Sequence, residues 1–204
     1  MQLTWAESLD AFTSAAEWFV ATAEGADGRW AEPGLGEWDV RALVGHTSRA
    51  LLTVESYLAT PPERVDLDSP VAYYGATRPM AAGAAVAQRG RDAGQALGDD
   101  PVVAVAAIAE RVVPLVQRCT GEELLTTIAG GMRLADYLPT RTFELVVHTC
   151  DLAAALGQPA DPPAVAARAA LALAGDLVID EGHAGEVLLA LTGRRPLRDG
   201  YSLV

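Results

Sequence analysis

Apolar residues recur every three or four positions along most of the chain, a spacing that predicts a protein built mainly of α-helices. The first helix is predicted over residues 4–24, with an inward face of Leu9, Phe12, Ala16, Phe19 and Val20. The second is predicted over residues 39–59, where Asp39 is a favourable N-cap and two prolines follow the end. Trp38 comes immediately before this cap and is expected to anchor the start of the helix.

Further helical segments follow, separated by breaks that contain Gly or Pro. The pattern predicts helices over residues 72–97, 102–118, 135–156, 162–178 and 184–191. Pro114 lies inside one of them and should kink or split it. Residues 124–128 are predicted to form a short strand, with a turn at the following pair of glycines, residues 130–131. The tail from residue 192 should form an edge strand or lie on the surface. This order of elements indicates a mostly helical bundle.

One predicted helix carries a stripe of four ionisable residues, at positions 141, 144, 148 and 151. At 3.6 residues per turn, these side chains project within an arc of about 80°. Apolar residues flank the arc on both edges, so the stripe should point into the protein. Because a buried charge is costly unless it is paired or bound to a metal, something inside the fold must satisfy Glu144 and His148.

The spacing of Glu144 and His148 places both side chains one turn apart on one helix face, which suits two ligands of one ion. A third ligand must come from another helix. His46 lies in the middle of the second predicted helix and shares its inward face with Leu43, Ala50 and Val54. Two histidines and one carboxylate make a site with open coordination positions, for which Zn²⁺ is the usual ion and Ni²⁺ or Fe²⁺ an acceptable one.

A different interpretation of the same stripe needs no metal. Arg141 and Glu144 would form an i,i+3 pair, and His148 and Asp151 would pair beside it, all hydrogen-bonded inside the bundle. The spacing alone leaves both interpretations open. His183 lies in a glycine-rich turn and is expected at the surface.

The net charge, the apolar runs and the cysteines of the chain limit the partners and the cellular compartment that we expect. The net charge is −12, which argues against a nucleic-acid partner. No apolar run reaches the roughly 18 residues that span a bilayer, and the first residues lack the features of a signal peptide. Cys119 and Cys150 form no disulfide framework, so we expect reduced thiols and a cytoplasmic location.

Three segments together resemble the mycothiol-dependent maleylpyruvate isomerase family. Residues 38–46 are similar to its W-x-V-x-x-L-V-x-H signature, and residues 136–152 are similar to its R-x-x-E-x-x-x-H-x-x-D-L signature. The run at residues 190–197 is also typical of such chains. The three segments occur in the same order as in the family, and the resemblance extends over nearly the whole sequence.

The resemblance implies a DinB-like four-helix bundle, often dimeric. Together with the pattern along the chain, it predicts a mainly α-helical fold with extra helices and a short two-stranded β element. Residues 1–157 would form the metal-binding bundle, and residues 158–204 would pack on it within one structural domain. The resemblance further implies that His46, Glu144 and His148 hold a divalent metal, typically zinc. Mycothiol would be the cofactor or co-substrate, although related bundles use bacillithiol or glutathione.

The chemistry that this resemblance implies is thiol activation. A thiol is mostly protonated at neutral pH, and a metal lowers its pKa so that the thiolate attacks an electrophilic carbon. The adduct is the product of an S-transferase, whereas an isomerase releases the thiol after rotation about the former double bond. Asp151 would support His148 from behind, and Arg141 would bind a carboxylate or neutralise the site.

One departure from the family bears on the reaction. Maleylpyruvate isomerases carry an additional C-terminal domain, and only about 50 residues follow the ligand helix here. We therefore expect a thiol S-transferase acting on a small electrophile rather than the specific isomerase. The competing hypothesis is a non-catalytic bundle that binds a metal or a protein partner as a sensor. An open cavity at the metal favours the enzyme, and a site closed by side chains favours the sensor.

Overall fold

Eight α-helices and one antiparallel pair of strands make up the described chain, which in this computed structural model comprises residues 3–80 and 84–203. The helices are α1 (Trp5–Glu24), α2 (Val40–Leu58), α3 (Pro70–Thr77), α4 (Ala84–Ala96), α5 (Pro101–Gln117), α6 (Leu134–Ala155), α7 (Ala164–Asp180) and α8 (Ala184–Leu191). The strands are β1 (Leu124–Thr127) and β2 (Gly130–Arg133). The predicted class, mainly α with a short β element, is confirmed.

Four of the helices form a closed bundle. Each of α1 and α2 packs against both α5 and α6, while α4 lies on the outside of α2 and α7 lies on α1 and α6. Most of the largest fully buried side chains come from α1, α2 and α6, among them Phe12, Phe19, Leu43, Leu51, Tyr137 and Leu145. Their burial against one another sets the relative positions of α2 and α6.

The helix starts follow the chemistry that the sequence predicts. Thr4 and Glu7 form a capping box at α1, in which the Thr4 hydroxyl accepts from the Glu7 amide and the Glu7 carboxylate accepts from the Thr4 amide. The Asp39 carboxylate accepts from the Ala42 amide at 2.8 Å and caps α2. Trp38 is buried at this start, as expected of an anchor.

The helix predicted over residues 72–97 is wrong as a single element. The structure places α3 there, then a 3-10 turn over Arg78–Met80, and then α4, while residues 81–83 lie outside the described ranges. Pro79 has no amide hydrogen and removes one bond from an α-helical ladder, which favours a break at this position. By contrast, α5 is continuous across Pro114, because Val112 and Val116 are fully buried and hold both sides of the proline in the bundle.

The predicted strand is present, but the predicted turn is displaced. Ile128 and Ala129 form the turn, and the two glycines pair with Thr126 and Thr127 as part of β2. The segment around Arg64 crosses close to β2, and a Cβ on Gly131 would overlap the Arg64 carbonyl oxygen. Glycine is required here for close approach rather than for turning.

The C-terminal elements pack on the bundle. α7 buries Ala166, Leu173 and Leu177 in the common core, and the described tail, residues 192–203, contains no strand. The tail lies on the surface, where the Arg198 guanidinium bonds to the Glu186 carboxylate at 2.7 Å. The division of the chain at residue 157 stays a prediction. No helix of the described ranges is both long and apolar enough to cross a membrane.

Candidate metal centre

Three of the predicted site residues meet where α2 packs against α6. His46 lies in the middle of α2, and Glu144 and His148 lie one turn apart on α6. One potential ligand atom from each of the three residues lies within 4.8 Å of the others. The convergence follows from the inward face of α2 and the stripe on α6, because the core fixes these two helices side by side.

His46 is held by aromatic contacts. The ring centroids of Trp38 and His46 lie 4.4 Å apart. The His148 ring meets the His46 ring edge-on, with centroids 4.8 Å apart. The Trp38 indole donates to the Ala87 carbonyl at 2.9 Å, and Gly90 lets it lie against α4, since a Cβ there would overlap the indole. Burial, aided by the positive charge of His148, lowers the pKa of His46 to about 4. At neutral pH His46 therefore presents a neutral imidazole, the form that ligates metals.

Each oxygen of the Glu144 carboxylate has its own partner. The Tyr74 hydroxyl donates to Oε1 at 2.7 Å, and His148 Nε2 lies 3.2 Å from Oε2. Burial alone would raise the pKa of Glu144, but the His148 hydrogen bond and the charge of Arg141 outweigh it and lower the pKa to about 2. The carboxylate is therefore ionised throughout the physiological range.

His148 lies between two carboxylates. Its Nδ1 lies 3.1 Å from Asp151 Oδ2, so the Nε2 side of the ring faces Glu144. Burial would lower the pKa of His148, but the hydrogen bonds to Asp151 and Glu144 outweigh burial and raise the pKa to about 9. Without a metal, His148 is thus an imidazolium at neutral pH, and a metal ion would have to displace its Nε2 proton.

The side chains of the cluster are partly exposed to solvent. Those of His148, Glu144 and Asp151 are 17%, 23% and 30% exposed, respectively. These side chains are therefore not sealed inside the core of the bundle.

Arg141 belongs to the same stripe but has different surroundings. Its guanidinium lies 4.8 Å from the Tyr137 ring centroid and 5.5 Å from that of Tyr73, and its Nε donates to the Thr140 hydroxyl at 3.0 Å. Among the described residues it forms no ion pair with Glu144, so this part of the metal-free interpretation is wrong. The other part, the pairing of His148 with Asp151, is present.

Residues 9–153 match the family described as mycothiol maleylpyruvate isomerase N-terminal domain. The chain belongs to this family. The matched region contains all of the predicted site residues and ends within α6. Searches of curated proteins and of solved structures gave no significant match.

The donor set of this family member fits a divalent ion. Ligands at 2.0–2.2 Å from a tetrahedral zinc lie about 3.4 Å apart, so the cluster would need side-chain shifts of about 1 Å. His46 Nδ1 is buried and has no hydrogen-bond partner among the described residues, an unusual state for a polar atom. Two imidazoles and one carboxylate suit Zn²⁺, Ni²⁺ and Fe²⁺ alike.

The site also contains tyrosines that the sequence reasoning missed. Tyr74 bonds to Glu144, and Tyr73 and Tyr137 enclose Arg141. The sequence places Tyr73 and Tyr74 shortly after Pro70 in a predicted helix. This pattern does not indicate which other helix the two rings will contact. His183 lies outside the cluster, beside Glu186 and Tyr201.

Proposed function

We propose that the chain is a divalent-metal-dependent enzyme that activates a low-molecular-weight thiol, mycothiol or a similar one. The thiol would be transferred to a small electrophilic substrate or would promote its isomerisation. The observation that carries this proposal is the convergence of His46, Glu144 and His148 in a chain of the mycothiol maleylpyruvate isomerase family. The partial exposure of the cluster supports a catalytic role over a closed sensor site, because the thiol needs an open coordination position.

His46, Glu144 and His148 would hold the ion, with zinc the first expectation and nickel or iron acceptable. When bound, the metal would lower the pKa of the thiol, so that its sulfur reacts as a thiolate. Asp151 accepts from His148 Nδ1 and so orients the ring with Nε2 directed at Glu144. It would keep the remaining proton on Nδ1 when a metal replaces the Nε2 proton. This contact is what a support residue for a metal-binding histidine requires.

Arg141 would bind an anionic group of the substrate or co-substrate. Its Nη1 and Nη2 atoms have no hydrogen-bond acceptor among the described residues, although the side chain is only 9% exposed. A buried guanidinium with free donors is a strong ligand for a carboxylate, which it can bind in bidentate fashion. This observation favours substrate binding over simple neutralisation of the site.

The organisation proposed for the chain is a metal-binding bundle over residues 1–157 with residues 158–204 packed on it. The partners are then the thiol and the electrophile, and a homodimer is the expected assembly of such bundles. The acidic net charge argues against nucleic acid as a further partner.

The proposal is tested by following S-conjugate formation from mycothiol and 1-chloro-2,4-dinitrobenzene. Zinc-loaded wild type and a His183→Ala control, which changes the histidine outside the cluster, should both accelerate the reaction. Chelator-treated wild type and His148→Ala should not accelerate the reaction. Added zinc should restore activity to the chelator-treated wild type but not to His148→Ala. Equal rates for wild type, His148→Ala and buffer, with mycothiol, bacillithiol and glutathione alike, would contradict the proposal.

A further inference from the structure

Tyr74 connects the short helix α3 to the candidate metal centre. Ser69 caps α3 through a hydrogen bond to the Ala72 amide, Pro70 opens the first turn, and the helix packs against α6 and α7. This packing buries Tyr74, which is 8% exposed, and directs its hydroxyl to Glu144 Oε1 at 2.7 Å. The position of one glutamate oxygen on α6 is thus coupled to a separate helix.

Aromatic neighbours fix the ring that carries this hydroxyl. Phe143 and Tyr73 both meet the Tyr74 ring edge-on, each with ring centroids 5.8 Å apart. Edge-to-face contacts of this kind hold a ring in one orientation. The Tyr74 ring is therefore oriented by its aromatic neighbours, independently of its contact with Glu144.

The consequence for Glu144 is that its two oxygens are not equivalent. Oε1 is engaged by Tyr74, whereas Oε2 lies beside His148 Nε2 at the cluster. A glutamate side chain has several rotatable bonds, and fixing it in one orientation costs conformational entropy. Tyr74 lowers the entropic cost of metal binding, because its hydrogen bond already selects one orientation of the Glu144 carboxylate.

His148 has a comparable support, since Asp151 engages its Nδ1 at 3.1 Å. Each α6 residue of the cluster is therefore held from behind by one polar side chain. The support of Glu144 differs from that of His148 in coming from another helix.

We propose that Tyr74 is a positioning residue that presents Glu144 to the metal through Oε2 alone. This inference rests on the proposed function, because it requires an ion at the cluster. It sets the coordination mode of the glutamate as one oxygen, with the second oxygen reserved for the tyrosine. Supporting hydrogen bonds of this kind typically contribute a factor of 10 to 100 in metal affinity.

The test compares Tyr74→Phe with Tyr201→Phe, which removes the hydroxyl of a tyrosine beside His183, outside the cluster. Zinc dissociation constants are measured by chelator competition, and the d–d absorption spectrum of the Co²⁺-substituted protein reports the coordination mode. Tyr74→Phe should bind zinc about 10-fold to 100-fold more weakly, with an altered Co²⁺ spectrum. Tyr201→Phe should keep the wild-type spectrum and an affinity within about twofold of wild type.

A Glu144→Ala background separates positioning from general damage to the fold. If Tyr74 acts through Glu144, adding Tyr74→Phe to Glu144→Ala causes no further loss of affinity. A wild-type affinity and spectrum for Tyr74→Phe would overturn the inference while leaving the proposed function intact, and so would a further loss in the double variant. Absence of zinc binding by the wild type would overturn the proposed function, and this inference with it.

Discussion

Arg141 and Glu144 lie one turn apart on α6, and the protein accommodates their charges in different ways. The Arg141 cation rests between the rings of Tyr73 and Tyr137, where a single hydrogen bond leaves its terminal nitrogens free. Glu144 instead belongs to a chain of polar contacts from Tyr74 through His148 to Asp151. Aromatic faces keep a cation fixed and available, whereas a chain of ionisable groups can exchange a proton for a metal. The comparison therefore distinguishes two ends of the stripe, for which we propose anion binding at Arg141 and metal binding at Glu144 and His148.

The largest effect should come from removing the charge at the metal-binding end. Glu144→Gln keeps the size of the side chain but loses the anionic oxygen donor, so zinc affinity should fall by about 100-fold or more. Chelator competition measures this loss. The matched control is Glu186→Gln, which changes a glutamate beside His183 outside the cluster and should leave zinc affinity unchanged. Comparable affinities for the two variants would remove Glu144 from the site.

The anion-binding end should respond to Arg141→Gln in a different assay. The KM for a carboxylate-bearing electrophile should rise by about 10-fold to 100-fold, because a bidentate charged contact is lost. The KM for the corresponding neutral ester should not change, and Arg141→Lys should only partly restore binding, since an ammonium cannot reproduce the guanidinium fork. An equal rise for the acid and the ester would show that Arg141 is structural.

The metal-free protein should lose stability as the pH rises from about 6.5 to about 9. The folded state holds the His148 proton up to a pKa of about 9, whereas an unfolded histidine releases it near 6.5. The folded state then binds more protons across this window, so its free energy of unfolding falls with pH, by on the order of 2 kcal/mol.

Urea unfolding at several pH values, in the presence of chelator, measures this dependence. His148→Gln should remove most of the slope between pH 6.5 and 9. His46 acts in a separate pH range, because its pKa is lowered to about 4 in the folded state. Between about pH 4 and about pH 6.5 the unfolded state binds more protons, so the free energy of unfolding rises with pH. A slope that persists unchanged in His148→Gln would contradict the assignment.

The smallest effect is expected at the support residue of the metal-binding end. Asp151→Asn keeps a hydrogen-bond acceptor for His148 Nδ1 but removes the charge, so zinc affinity should fall by about 10-fold. Isothermal titration calorimetry with zinc in a competing buffer measures this loss of zinc affinity. Asp161→Asn, in the loop before α7, serves as the control. An unchanged affinity in Asp151→Asn would limit the metal centre to the three ligands themselves.

The parts of the site that the sequence predicts are those that depend on a single helix. The i,i+4 spacing of Glu144 and His148 fixes their relation on α6, and helical periodicity places His46 on the inward face of α2. Local spacing also predicts that His148 and Asp151 pair, which they do. Their use as metal ligands stays a prediction.

The parts that the sequence does not predict depend on which helices meet. Tyr74 reaches Glu144 across 70 positions of the chain, through packing of α3 on α6 that no local pattern specifies. In the same way, Gly131 looks like a turn residue until the Arg64 segment is seen to cross it. Proline chemistry alone does not locate the break at Pro79, because Pro114 lies inside a helix that is continuous.

The most direct test of the central claim is the metal content of the purified protein by elemental mass spectrometry. Wild type is compared with His148→Ala and with His183→Ala as the matched control. We expect about one equivalent of zinc, nickel or iron in wild type and in His183→Ala, and little in His148→Ala. No metal in wild type, even after zinc is added back, would contradict this expectation and leave the α6 stripe as a buried polar network.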